Sequence, residues 1–367
     1  MNEQSFMQRC IDIAWNGLGK VSPNPMVGCV IVRNGKIVGE GFHRQFGEAH
    51  AEIYALLQAG KKARGATLFV NLEPCAHFGK TPPCTDAIVQ SGISTVVIAS
   101  KDPNPLVAGK GIRRLHGAGI TVKVGILRKE AEFLNEKFFK FMNTGLPFVG
   151  IKLAQTLDGR IADTAGTSKW ITSEKARKEV HKLRSEYDAV MVGAHTVFKD
   201  DPELTVRFIK AENPIRVVVD GRMVLPTTRK IFDTSNAPTW VLTSTAAVRA
   251  NDRKIQKLVV QGVRILAVST SRLLSTESIL NALAAEGVSS VLLEGGASLI
   301  APFVKHSFVD SLHLFIAPKI LGGGLDGFRF GKPLFLHQHV KLKITNTINI
   351  GDDVLLEARF IQKRKIK

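Results

Sequence analysis

Cysteine is scarce in this sequence: Cys10, Cys29, Cys75 and Cys84 are the four in a chain of 367 residues. That is too few for a disulfide scaffold at this length, and a chain this long buries sizeable cores without cross-links. Aromatic residues make up only 7%. No apolar run approaches the roughly 18 residues that a membrane span needs. The opening "MNEQSFMQRCIDIAW" lacks the basic-then-apolar plan of a secretory signal. Internal repeats, low-complexity segments and long linkers are also missing. These absences exclude small secreted frameworks, fibrous chains and disordered chains. They leave a reducing cytoplasm as the expected compartment, where clustered cysteines mean metal more often than disulfide.

What is present is an ordinary globular composition, 44% apolar and 22% charged, with a large positive excess of +18. Residues 1–145 hold 18 Lys and Arg against 11 Asp and Glu, and residues 146–367 hold 32 against 21. The excess is therefore spread over both halves, apart from the short basic tail "QKRKIK". Diffuse basicity suits an anionic partner, either a phosphorylated small molecule or a nucleic acid.

The pattern of apolar residues predicts two α/β domains. In the first, residues 5–18 read as an amphipathic helix and "VGCVIVRNGKIVGEGFH" as a hairpin about Asn34-Gly35. "HAEIYALLQAG" reads as a helix stopped at Gly60, and alternating strands and helices follow. Residues 129–143, "KEAEFLNEKFFKFMN", read as one further helix. The break at "TGLP" puts the boundary near 145, so the expected domains are 1–145 and 146–367. The second domain reads as strands "FVGIKLAQTLDG", "AVMVG", "IRVVVD", "TWVLTS", "RILAV", "SVLLEGG" and "SLHLFIAPKIL", with helices at 173–187 and 276–286 among those between them.

Chemistry concentrates first in "GEAHAE" (47–52) and "EPCAHFGKTPPC" (73–84). Hydrolysis at an amidine-like carbon needs hydroxide at neutral pH, and zinc supplies it by lowering the pKa of bound water from about 15.7 to about 7. A catalytic zinc takes three protein ligands, and a separate carboxylate moves the proton. His50, Cys75 and Cys84 are candidate ligands and Glu52 the candidate proton carrier. The set resembles the nucleobase-deaminase signature H-x-E … P-C-x-x-C. Here eight residues, "AHFGKTPP", separate the cysteines instead of two. Cys10 and Cys29 lie in apolar runs and read as core. His77, inside the insert, reads equally as a substrate contact or as an exposed loop residue.

The stretches "SPNPMVGCVIV", "GEGFH", "GEAHAE", "NLEPCAHFGKTPPC" and "KDPNPLVAGKGI" look like the deaminase half of the bifunctional riboflavin-biosynthesis deaminase/reductase family. "KLAQTLDGRIA", "SKWIT", "VMVGAHTVFKDDPELTVR", "VLLEGGASL" and "APKILGG" look like its reductase half, in the same order. The resemblance implies a cytidine-deaminase-like α/β/α domain followed by a dihydrofolate-reductase-like α/β domain. It implies zinc and NADPH as cofactors and a phosphorylated small-molecule substrate, 2,5-diamino-6-ribosylamino-4(3H)-pyrimidinone 5′-phosphate. Deamination at C2 is followed by reduction of the ribosyl side chain. It implies Asn24 and His43 at the deaminase substrate, where His77 is the further candidate from the insert; for Asn24, turn chemistry between two prolines is the alternative.

The second domain carries no G-x-G-x-x-G after its first strand, which disfavours a Rossmann dehydrogenase. The resemblance places Ala154, Trp170, Thr196 and Asp200 at the cofactor, together with Gly295 and Gly296, where a strand-to-helix turn lets phosphate approach backbone N–H groups. Ser168, Arg184, Leu204, Arg207 and Glu294 fall at the reductase substrate, the two arginines suiting a phosphate. Thr156 stands where this family mostly has Ser, and His195 where a small residue is usual. The resemblance also implies pairing of chains through the reductase half, and neither a nucleic-acid nor a membrane partner. Two rival readings are a nucleic-acid-editing deaminase, which would use the +18 charge on phosphate backbones, and a zinc-stabilised binding protein without activity. The second α/β domain argues against the former and Glu52 against the latter.

Overall fold

The structure is a computed structural model that describes residues 2–78, 82–105, 107–330 and 336–361. Part of the insert between Cys75 and Cys84 (79–81), Leu106 and the basic tail 362–367 lie outside the described residues. The chain divides into two compact units, Met1–Gly145 and Leu146–Lys367.

The first unit opens with helix α1 (Glu3–Ala14), capped by Asn2, whose Oδ1 accepts from Ser5 N at 2.9 Å. Strands β1 (Gly28–Arg33) and β2 (Lys36–Phe42) form the expected hairpin. Asn34 (φ 52°) and Gly35 (φ 72°) both take the left-handed conformation that a tight two-residue turn demands. Then come α2 (Ala51–Ala59), β3 (Thr67–Leu72), α3 (Cys84–Gln90), β4 (Thr95–Ser100), α4 (Lys110–Gly117), β5 (Thr121–Val124), α5 (Arg128–Leu134) and α6 (Glu136–Thr144). The sheet order is β2-β1-β3-β4-β5, with β1 antiparallel to both neighbours and β3, β4 and β5 parallel. One face buries Ala51, Ala55, Ile88 and Leu115 from α2, α3 and α4. The other buries Phe6, Cys10, Ala131 and Leu134 from α1 and α5. This is an α/β/α sandwich, and Cys10 and Cys29 are core residues, both fully buried.

The single helix expected over 129–143 is two helices. Asn135 interrupts it with φ −107° and ψ 24°. Its Oδ1 accepts from Met26 N at 2.8 Å and its Nδ2 donates to Met26 O at 2.9 Å. The amide side chain thus pairs like a strand edge with a distant peptide. Helix continuity gives way to that long-range contact.

The second unit contains β6 (Phe148–Thr156), β7 (Arg160–Ala162), α7 (Glu174–Ser185), β8 (Ala189–Gly193), α8 (Ala194–Asp200), β9 (Ile215–Val219), β10 (Thr239–Ser244), α9 (Thr245–Ala250) and α10 (Asp252–Val260). It continues with β11 (Arg264–Ser269), α11 (Thr276–Ala285), β12 (Ser290–Leu293), α12 (Ala297–Lys305), β13 (Ser311–Ala317), β14 (Leu325–Asp326), β15 (Leu342–Ile350) and β16 (Asp353–Phe360). Among the described residues the large sheet has nine strands in the order β11-β10-β9-β8-β12-β6-β13-β16-β15. Pairs from β11 to β13 are parallel; β16 and β15 continue the sheet antiparallel. Helices cover both faces, with Ile279, Leu283 and Phe303 buried on one and Leu183, Val197 and Leu258 on the other. The strand expected over 311–321 stops at Ala317, just before Pro318, which has no N–H to donate to a ladder. The β15–β16 hairpin, turning at Gly351 (φ 64°), was not expected from the sequence.

Candidate active sites

In the first unit, two helix N-termini and one strand end deliver the candidate ligands. His50 is the N-cap residue of α2, Cys84 opens α3, and Cys75 follows β3. Helix α2 rests unusually close to β2. A Cβ built on Gly41 would lie 2.4 Å from Ala51 O, and one on Gly39 would lie 2.3 Å from Ala55 O. The two glycines of "GEGF" therefore let α2 settle where His50 and Glu52 reach the cysteines.

His50 Nδ1 lies 3.2 Å from Cys84 Sγ and 3.6 Å from Cys75 Sγ, and Cys84 N donates to Cys75 Sγ at 3.3 Å. The three ligand atoms fall within 4.8 Å of one another. The Cys84 thiol's hydrogen bond holds the Cys75 thiol far below its ordinary range, and in return Cys84 is held above its own. Hydrogen bonding to Cys75 raises the His50 imidazole against its burial. Two sulfurs and an imidazole nitrogen sharing protons in one place are a donor set that a borderline-soft divalent cation satisfies. The residues therefore fit zinc. Next to them, Glu52 is buried, and its Oε2 has no hydrogen-bond partner among the described residues. Burial pushes this carboxyl above the usual carboxylate range, opposed by the charge of His50.

Asn24 and His43 come to the same place. His43 is buried, with Nδ1 3.1 Å from Ala49 O and Nε2 3.2 Å from Asn24 Nδ2. Nδ1 therefore carries the proton and Nε2 accepts from the amide. Burial lowers its pKa, so the neutral ring persists. The His43 ring meets His50 edge-on at 5.3 Å. His77 is not brought into this group: it lies exposed on the loop that separates the cysteines. Sequence reasoning missed Asn71, whose Oδ1 accepts from Gly28 N at 2.8 Å and whose Nδ2 donates to Met26 O at 2.9 Å. Together with Asn135 it fixes the end of the loop bearing Asn24.

In the second unit the candidate residues gather around the carboxyl ends of parallel strands, where open α/β sheets place ligands. Glu294, Gly295 and Gly296 follow β12, with Gly296 the N-cap of α12. Thr196 and Asp200 lie on α8, directly after neighbouring β8, and Ala154 lies near the end of β6. A Cβ on Gly296 would meet nothing within 4 Å, so the turn is open ahead of the helix N-terminus. Trp170 is 66% exposed, with the Arg177 guanidinium 4.4 Å from its ring centre. Lys319, just past β13, donates from Nζ to Trp170 O at 2.9 Å. The second unit thus offers both an open helix N-terminus and an exposed indole paired with a guanidinium, features that suit an anionic, aromatic cofactor such as NADPH. Ser168 lies half-buried on the segment leading to Trp170, while His195 is exposed on α8.

Arg184 and Glu294 are not two separate contacts. They form a buried, two-pronged pair, Nε–Oε1 2.6 Å and Nη2–Oε2 2.9 Å, and Arg184 Nη1 donates to Thr205 O at 3.0 Å. Burial alone would raise the Glu294 carboxyl, but the charge and hydrogen bonds of Arg184, then the charge of Lys152, hold it below its usual range. Arg207 pairs with Glu203 instead and is half-exposed. Leu204 turns its side chain into the core, beside Val192 and Val197. With its side chain buried, Leu204 offers a ligand its main chain. Leu204 also takes φ 53°, a left-handed conformation costing a non-glycine residue about 1–2 kcal/mol. Four side chains hold that segment: Arg184 on Thr205 O, Arg216 on Glu203 O, Asn213 on Val206 N and His181 on Arg207 N. Arg216, Asn213 and His181 carried no motif signal. Burial, then the charges of Arg184 and Arg207, lower His181 to about 4, so its Nδ1 stays an acceptor at neutral pH. Thr156 Oγ1 donates to Asp158 Oδ1 at 2.6 Å, and Asp158 receives Leu321 N and Gly322 N. The hydroxyl at 156 thus holds the Asp158 carboxylate, which ties this turn to the segment after β13.

Residues 1–100 match the family model of the cytidine and deoxycytidylate deaminase zinc-binding region, and residues 147–356 match that of the RibD C-terminal domain. The riboflavin biosynthesis protein RibD of Aquifex aeolicus is 44% identical over 355 residues, covering 96% of this chain and 97% of that protein. This chain belongs to the RibD family. RibD of Bacillus amyloliquefaciens is also 44% identical, over 97% of this chain and 96% of that one. Among solved structures, Acinetobacter baumannii RibD superposes with a TM-score of 0.89 at 38% identity, covering 98% of this chain and 99% of that chain. The Thermotoga maritima diaminohydroxyphosphoribosylaminopyrimidine deaminase/5-amino-6-(5-phosphoribosylamino)uracil reductase superposes at 0.87 with 42% identity, covering 98% of each. As a RibD chain this is a bifunctional deaminase and reductase of riboflavin biosynthesis, with zinc and NADPH as its cofactors. No helix among the described residues is long and apolar enough to cross a membrane.

Proposed function

We propose that residues 1–145 deaminate 2,5-diamino-6-ribosylamino-4(3H)-pyrimidinone 5′-phosphate, and that residues 146–367 then reduce its ribosyl side chain with NADPH. The observation that carries the first half is Glu52, a buried carboxylate with an unpartnered oxygen beside a His/Cys/Cys cluster. A purely structural metal has no use for such a group. His50, Cys75 and Cys84 hold zinc, which when bound lowers the pKa of its water to about 7. Glu52 Oε2 would be the group that moves protons: of the two protons of the attacking water, one would go to the ring nitrogen and one to the amine at C2, so that ammonia leaves and a carbonyl remains. Asn24 and neutral His43 hold the pyrimidinone ring, Asn24 being oriented by its contact with His43 Nε2. His77, exposed on the loop between the cysteines, is the remaining candidate contact to the substrate.

In the second unit NADPH supplies a hydride. Ala154, Trp170, Thr196, Asp200, Gly295 and Gly296 would hold the cofactor, the open N-terminus of α12 offering N–H groups to its anionic part. Ser168, Arg207 and the main chain at Leu204 hold the substrate, Arg207 exchanging Glu203 for the phosphate. Glu294, aligned by Arg184, would face the ribosyl chain; once the sugar ring opens to an imine, reduction would add the hydride at C1′ and a proton from solvent at the nitrogen. The chain acts in the cytoplasm and pairs with a second copy through the reductase unit.

The test is purified chain given the diaminopyrimidinone ribosylamine phosphate and NADPH, with ammonia release and NADPH oxidation followed together. Both signals are expected in zinc-loaded protein. Ammonia without NADPH oxidation overturns the reductase assignment, and silence in both overturns the substrate assignment.

A further inference from the structure

The stretch "KDPNPLVAGKGI" (101–112) has no part in the chemistry so far, yet it meets the metal centre through one side chain. Glu73 lies two residues before Cys75 and is 4% exposed. Its Oε1 accepts from Ile112 N at 3.2 Å, and its Oε2 accepts from Gly109 N at 3.0 Å and from Asp102 N at 3.4 Å. Two of these donors are at the start of α4, where the first turn leaves N–H groups without helical partners and the helix dipole favours a negative charge. The contact continues along the main chain. A Cβ built on Gly111 would lie 2.1 Å from Pro74 O and 3.3 Å from Glu73 Oε1. Helix α4 therefore presses directly on the residue that precedes Cys75, with no room for a methyl group. On the other side, Cys75 O accepts from Thr85 N and from Thr85 Oγ1, both at 3.2 Å.

We propose that Glu73 is a positioning residue for the metal centre. Its carboxylate ties the N-terminus of α4 to the main chain at 73–75 and so fixes the direction in which Cys75 Sγ points. A carboxylate is required because three N–H groups converge on it and both of its oxygens accept. A glutamine amide in the same place would turn its own NH2 against at least one of those donors. The proposal rests on His50, Cys75 and Cys84 being the zinc ligands.

The full chain is compared as wild type, Glu73→Gln and Gly111→Ala. Zinc affinity is read by competition with a chromophoric chelator, and ligand geometry by the thiolate absorption of the Co2+-loaded protein. Glu73→Gln is expected to weaken zinc about ten- to a hundredfold. It should also alter the Co2+ spectrum and slow ammonia release, while NADPH oxidation with the deaminated substrate stays at the wild-type rate. Gly111→Ala keeps the carboxylate but drives α4 off Pro74, and it should shift zinc affinity and the Co2+ spectrum in the same direction. If Glu73→Gln does not fold in its first unit, Gly111→Ala carries the test alone. Folded variants with wild-type zinc affinity and an unchanged Co2+ spectrum, whatever their melting temperature, would overturn the proposal. A wild-type chain that binds neither ion overturns the metal reading, and this proposal with it; the wild-type measurement alone tells that outcome from the other.

Discussion

Arg184→Met removes a charge from the buried pair with Glu294 while keeping the length of the side chain. The two side chains are only 11% and 7% exposed, and the pair is bidentate. Breaking such a pair from one side costs about 3–5 kcal/mol, because a buried charge is left behind. Lys152 still acts on the Glu294 carboxylate, which places the expected loss near the lower end, about 3 kcal/mol. Arg184→Met with Glu294→Leu removes both charges and should cost about 1 kcal/mol or less. The assay is urea unfolding in a Trp15→Phe background, so that fluorescence reports Trp170 and Trp240 in the second unit alone. The pH dependence has a definite sign. In the native chain Glu294 sits below its unfolded value of about 4.3. Its contribution is therefore present at neutral pH and is lost as pH falls through the lower folded value. In Arg184→Met burial outweighs the remaining charges and the folded value rises, so the penalty is relieved as pH falls through it. The difference between the two proteins should be largest at pH 7 and shrink toward pH 4. A difference below about 1 kcal/mol at pH 7, or one that stays constant down to pH 4, would refute the description of a buried, coupled pair.

Further outcomes follow from the same geometry. Glu52→Gln should cut ammonia release about 10²–10⁴-fold while metal analysis finds its zinc content unchanged. Stripping zinc with a chelator should stop ammonia release and leave NADPH oxidation of the deaminated substrate intact; a loss of both would mean that the second unit depends on the metal. Gly41→Ala puts a methyl group against Ala51 O and should cost the first unit about 1–3 kcal/mol in thermal unfolding, with weaker deaminase activity because His50 and Glu52 move with α2. Trp170→Ala should raise the KM for NADPH more than it lowers kcat, as steady-state kinetics with the deaminated substrate would report.

Much of this was legible in the sequence where the signal is local. Asn34-Gly35 fixes its own hairpin, and a His-x-Glu with two Pro-Cys pairs carries its chemistry in residue type and spacing alone. What escaped depends on distant partners. Asn135 breaks a well-patterned helix because Met26, 109 residues away, offers it two hydrogen bonds. Arg184 and Glu294 each resembled a ligand contact; only the fold, closing a separation of 110 residues, makes them partners. Glu73 stood in plain view beside Cys75, but its donors come from 102 to 112 and no periodicity links the two. The β15–β16 hairpin escaped for another reason. Nearly all of β15 is exposed, so its alternation of Ile, Thr and Asn carries little of the contrast that marks a buried strand.

The order of the two reactions is the central claim, and an add-back experiment on Glu52→Ala tests it most directly. The variant is given the diaminopyrimidinone substrate and NADPH, and then the deaminated intermediate. The account predicts neither ammonia nor NADPH oxidation at first, followed by NADPH oxidation at the wild-type rate when the intermediate arrives. NADPH oxidation before the intermediate is added would contradict it, because reduction would then not require prior deamination.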